Sequence, residues 1–116
     1  MREERQHFMK IDRAYLREKF REYNKVYFGR KIITPQFSTF YSRRGYLGVC
    51  FPHEVKSRMR ISMARNVNWT KETVRKVLVH EMIRLYLLQN VGKKAGLRHG
   101  KHFREMAAKI KAVDGL

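Results

Sequence analysis

The sequence predicts a single α+β domain. Apolar residues recur at helical spacing across residues 11–28 and again across 71–90, and between these stretches the apolar period shortens to about two. A length of 116 residues is enough for one core and too short for two. The expected order is an N-terminal helix, a small three-stranded antiparallel sheet, a long central helix and a C-terminal helix. Residues 1–10 read as a flexible basic lead-in and 11–116 as the domain.

In the first helix Leu16, Phe20, Tyr23 and Tyr27 form one stripe, and Arg13, Arg17, Glu18, Arg21, Glu22 and Lys25 take the other side. Asp12 suits its N-terminus, and Gly29 suits its end, where a left-handed residue is wanted. The aromatic stripe reads as core packing. After Pro35, Gln36–Tyr41 is rich in aromatic and β-branched residues and reads as a strand. Arg43-Arg44-Gly45 reads as a turn into a second strand, Tyr46–Phe51, which Pro52 ends. Arg58–Met63 alternates charged and apolar residues, as a half-exposed third strand would. Thr70 is a good N-cap for a helix over 71–90, with Glu72 in its first turn to complement the dipole. Gly92 closes that helix, and Lys93–Arg98 reads as a basic loop. The last helix opens at His99-Gly100-Lys101-His102, with Phe103, Met106, Ala107, Ile110 and Val113 on its core face.

Composition narrows the function classes. The single cysteine, Cys50, excludes an intramolecular disulfide and a Cys-rich zinc site; it reads as a small buried hydrophobe. Trp69 reads as a packing anchor, His7 and His53 as surface residues. No apolar run follows the first residues and none approaches the roughly 20 needed to span a membrane. The expectation is a soluble intracellular protein, cytoplasmic in a prokaryote or nuclear in a eukaryote. Lys and Arg number 27 against 10 Asp and Glu, a net charge of +17. Such a field attracts polyanions, so DNA or another nucleic acid is the expected partner. A membrane is not, since no helix pairs a wide apolar face with a purely basic one. Arg43, Arg44, Arg58, Arg60, Lys93, Lys94, Arg98 and Lys101 are the candidate contacts.

The ionisable residues inside the central helix stand out. Val77–Leu87 is apolar except for His80, Glu81, Arg84 and the hydroxyl of Tyr86. The pattern His-Glu-x-x-His binds zinc on a helix because residues four apart share a face, with the Glu beside them as general base. Here His80 and Glu81 are present, and Arg84 stands where the second His would be. On a helical wheel His80 and Arg84 lie about 40° apart, and Glu81 about 100° from His80. A catalytic zinc takes three protein ligands and an open position for water. His99, at the entry to the last helix, is well placed by spacing as a further ligand, and Glu81 as the base. Arginine stays protonated, has no lone pair to donate, and opposes a divalent ion. His102 is close in sequence, but three residues further around the helix it aims elsewhere.

These pieces together resemble the SprT-like (Spartan-type) zinc metalloprotease domains. The matching stretches are Tyr23-Asn24-x-x-Tyr27-Phe28, Ser42-Arg43-x-x-Tyr46-Leu47-Gly48, Ile61-Ser62, Val79-His80-Glu81-Met82-Ile83-x-Leu85-Tyr86 and His99-Gly100-x-x-Phe103. The resemblance implies a zincin-like domain whose central helix is the active-site helix. It makes His80 and His99 zinc ligands and Glu81 the catalytic base, and it links the chain to proteolysis of proteins crosslinked to DNA. The expected second helical ligand is replaced by Arg84, so the expectation is a domain with nucleic-acid affinity and impaired or absent peptide hydrolysis. Its guanidinium would stand in electrostatically for zinc and pair with Glu81 at i, i+3, leaving no cofactor. The alternatives are an active zinc-dependent protease with a protein substrate near DNA, and a metal-free interaction module.

Overall fold

The computed structural model describes residues 8–97 and 100–111. Helix α1, Arg13–Phe28, starts at Asp12, whose Oδ1 accepts from the Tyr15 N–H at 2.8 Å, and ends at Gly29 with φ 58°. Strands β1 (Gln36–Phe40) and β2 (Gly48–Phe51) follow, then a 3-10 turn, Lys56–Arg58, and strand β3 (Arg60–Ala64). Helix α2 spans Lys71–Asn90, α3 Lys93–Leu97 and α4 Lys101–Ile110. The start of α2 is locked reciprocally: Thr70 Oγ1 accepts from the Thr73 N–H, and Thr73 Oγ1 from the Thr70 N–H. Among the described residues no helix is long and apolar enough to cross a membrane.

The α+β class and the helix–sheet–helix order hold, but the sheet is mixed rather than antiparallel. Its order is β1-β3-β2, with β1 parallel to β3 and β2 antiparallel to it. β3 takes the middle because Ile61, Ser62, Met63 and Ala64 are all buried, and a strand covered on both faces belongs in the interior of a sheet. Its charged residues do not run through it: Arg58 lies in the preceding turn, and Arg60 is the exposed first residue. A second difference is α3, where a loop was expected. Gly96 lets that short helix lie on α2; a Cβ there would come within 2.9 Å of the Leu88 backbone N.

The core packs Leu16, Phe20 and Tyr23 of α1 against the sheet and α2, with Trp69 buried at the entry to α2. The Trp69 indole N–H donates to Ala64 O at 2.6 Å, and Met9 N–H donates to Trp69 O at 2.8 Å. Tyr27 is only half-buried. On α4, Phe103 is buried while Met106, Ala107 and Ile110 are partly covered; Val113 and His7 lie outside the described residues.

Three side-chain amides pin the irregular segments. Asn24 of α1 holds Ile32 at two points: its Nδ2 donates to Ile32 O at 2.9 Å, and its Oδ1 accepts from Ile32 N–H at 3.2 Å. Gln89 of α2 does the same to Ile33, at 2.9 Å each way. Asn66 does it to Ser42, at 2.7 and 2.8 Å. Each amide reproduces the donor–acceptor pairing of a β-bridge where no strand neighbour is available.

Candidate active-site helix

α2 is covered by the sheet, α1, α3 and α4, so its ionisable residues are held in an apolar setting. Glu81 is 3% exposed, and its Oε2 lies 3.1 Å from His80 Nδ1. The His80 ring meets Phe103 of α4 edge-on, with centroids 4.8 Å apart, so the last helix helps fix the imidazole. Arg84 lies one turn on, its Nη1 3.9 Å from Glu81 Oε1. Glu81 Oε1 is buried and accepts no hydrogen bond among the described residues, and the Arg84 guanidinium is the charge that faces it. The carboxylate thus has the imidazole on one oxygen and the guanidinium near the other.

Strand β2 forms the roof. Gly48, its first residue, lies so close to α2 that a Cβ would meet Val77 Cγ1 at 3.0 Å and Glu81 Cγ at 3.1 Å. Cys50, two residues on, is buried on the same strand. Burial pushes its thiol up to about 12; the Glu81 carboxylate adds to the rise and the Arg84 guanidinium opposes it. Neither Gly48 nor Cys50 was assigned to the site from sequence. Two apolar-looking strand positions gave no spacing signal toward α2, although Gly48 closes the Tyr46-Leu47-Gly48 stretch.

The thiol has a consequence for stability at high pH. A raised folded-state value means that the contribution is full below the ordinary value of 9.0 and is lost as pH climbs toward about 12. Tyr15 and Tyr23, whose hydroxyls burial also raises above 10.0, add to the decline at its upper end. The expected result is a folding free energy that falls above about pH 9, by at most about 1.4 kcal/mol per pH unit from the thiol. Urea titrations over this range should give a shallower fall for Cys50→Ala. An equal slope would remove the thiol as its cause.

The remaining candidates are scattered. His99 and Arg98 lie outside the described residues. Arg43 and Arg44 are exposed in the β1–β2 connection. Arg58 and Arg60 are exposed at the opposite end of the sheet, where β1 and β3 begin. Arg60 rests over the Phe51 ring at 5.0 Å. The two arginine pairs therefore lie at opposite ends of the sheet rather than side by side. Lys93 and Lys94 are exposed on α3, and Lys101 opens α4, 3.8 Å from Glu105. Sequence reasoning passed over Arg65, which emerges from β3 beside the Arg43 end. Its place directly after a buried strand was the available signal.

Fold and site together define an α+β domain built around a helix-borne His-Glu pair that is roofed by an edge strand. A family model described as the SprT-like family matches residues 16–116. The chain belongs to that family. A comparison with curated proteins finds no match. The zinc that the resemblance implies asks for three or four neutral or anionic donors. Among the described residues no group of three His, Cys, Asp or Glu side chains is arranged to hold a metal ion. His80 and Glu81 face a fixed cation at Arg84, and this set does not by itself fit a zinc ion.

Proposed function

We propose that the chain is a SprT-like domain with nucleic-acid affinity, in which Arg84 takes the place of a zinc-ligand histidine and peptide hydrolysis is impaired or lost. The observation that carries this reading is the Arg84 guanidinium 3.9 Å from Glu81 Oε1. A carboxylate buried to this degree needs a compensating charge or hydrogen bonds, and here a permanent cation stands beside it. The site keeps its polar residues and has its positive charge from the chain itself. Metal analysis of protein purified without chelators should find little zinc, and Arg84→His should raise the content toward about one per chain. About one zinc per chain in the unaltered protein would overturn the proposal.

The nucleic-acid affinity rests on the +17 charge and on the exposed cations of the β1–β2 connection and of α3. Binding to a DNA fragment should weaken by orders of magnitude between roughly 50 and 200 mM salt. A second reading, an active zinc-dependent peptidase acting near DNA, draws support from the His80–Glu81 pair, held at 3.1 Å. It requires DNA-stimulated cleavage of an unstructured protein that disappears in Glu81→Gln.

A further inference from the structure

β1 and β3 run parallel and finish side by side, at Phe40 and Ala64. The segments that leave them stay together: Arg65 N–H donates to Phe40 O at 2.8 Å, and Asn66 grips Ser42 by both its N–H and its C=O. Met9, bonded to Trp69 O, brings Phe8 and Lys10 to the same end. Two clefts result. One is lined by Tyr41, Ser42, Arg43 and Arg65, the other by Phe8, Lys10, Arg65 and Asn66 among others, and Arg65 lines both. Among the described residues, no acidic side chain lines either cleft.

The rings on this surface are unusually open for large apolar groups: Phe8 is 57% exposed and Tyr41 59%. Each has a cation close by in sequence or space, and the Arg65 guanidinium lies 5.9 Å from the Tyr41 ring centroid. Exposed rings interleaved with cations on a shallow surface, with no acidic side chain among its described lining residues, match one class of ligand. Unstacked bases offer a π-face to each ring, and the linking phosphates offer charge to each cation. A duplex keeps its bases stacked on one another and offers the rings nothing.

We infer that this end of the sheet binds single-stranded nucleic acid, with bases stacking on Phe8 and Tyr41 and phosphates meeting Lys10, Arg43 and Arg65. The inference rests on the nucleic-acid affinity proposed above and gives it a location and a strand preference. The connection carrying Tyr41 and Arg43 runs on to Gly48, the residue that lies against Glu81. A strand held there is one loop away from the active-site helix.

Fluorescence anisotropy with short oligodeoxythymidine, oligouridine and a blunt DNA duplex tests the assignment at fixed salt. DNA and RNA single strands should both bind, because neither stacking nor phosphate contact uses the 2′-hydroxyl. Phe8→Ala and Tyr41→Ala should each weaken single-strand binding about tenfold and leave duplex binding within about twofold. Arg65→Gln should lower the slope of log affinity against log salt by about one. The pair Arg17→Gln and Arg21→Gln on α1, a larger charge loss elsewhere, should matter less than Tyr41→Ala. Unchanged single-strand binding in both ring variants overturns this surface while the general affinity stands. Displacement of the oligonucleotide by polyglutamate as effective as by oligothymidine also overturns it, since the surface would then read charge alone. Failure of the unaltered chain to bind any of the three nucleic acids overturns both this surface and the affinity beneath it.

Discussion

Substituting Asn24 by alanine is expected to lower the folding free energy by about 3 kcal/mol, read as an earlier midpoint in a urea titration. Asn24 supplies both partners of the Ile32 peptide groups, and Ile32 is 3% exposed, so water has little access to replace them. Each buried backbone group left without a partner costs about 1–3 kcal/mol, and the substitution orphans a donor and an acceptor together. For a domain of this size the loss corresponds to a melting temperature lower by roughly 10 °C. Asn24→Asp should also be damaging, because a carboxylate oxygen would then face Ile32 O. Gln89→Ala is the comparison: it frees the Ile33 groups, but Ile33 is 48% exposed, and the expected loss is about 1 kcal/mol. If Asn24→Ala costs no more than Gln89→Ala, burial of the clamp is not what matters.

The second large effect is at the roof of the site. Gly48→Val is expected to cost about 3 kcal/mol, at the upper end of the range for an overpacked core. Its Cβ alone would sit 3.0 Å from Val77 Cγ1 and 3.1 Å from Glu81 Cγ, and the two further methyls have no space reserved for them. Valine's preference for strands works in the opposite direction, but the whole β-propensity scale spans only about 1 kcal/mol. Gly48→Ala needs its neighbours to give by a few tenths of an ångström, so about 1 kcal/mol is expected. Chemical denaturation of the two variants beside the parent checks the order. A Gly48→Val chain as stable as the parent would show that β2 does not press on α2.

Much of the helical framework is legible in the sequence because its signals are local. Asp12, Gly29 and Thr70 terminate α1 and α2 through bonds to residues a few positions away. His80 and Glu81 announce themselves as ionisable residues in an apolar run. The sheet order is not legible, since pairing joins segments that share no local pattern. Arg58 and Arg60 make the approach to β3 look half-exposed, whereas the buried part starts at Ile61. The pair Lys93-Lys94 and Gly96 disguise α3 as a loop, because the reason for a glycine there is Leu88 on another helix. The amide clamps stay hidden for a related reason. Their partners are peptide groups of Ile32, Ile33 and Ser42, and a peptide group has no residue identity to recognise.

Those clamps also divide the molecule into two electrostatic regimes. Asn24, Gln89 and Asn66 carry no charge and do not titrate, so added salt or a change of pH leaves their bonds to the backbone intact. The surface they support carries the excess of 27 basic over 10 acidic residues and is strongly screened by the same salt. Asn66 lies at the boundary, holding Ser42 between exposed Tyr41 and Arg43 with neutral bonds. Ionic strength can therefore be used as a dial on the field around this domain without loosening the scaffold that shapes it.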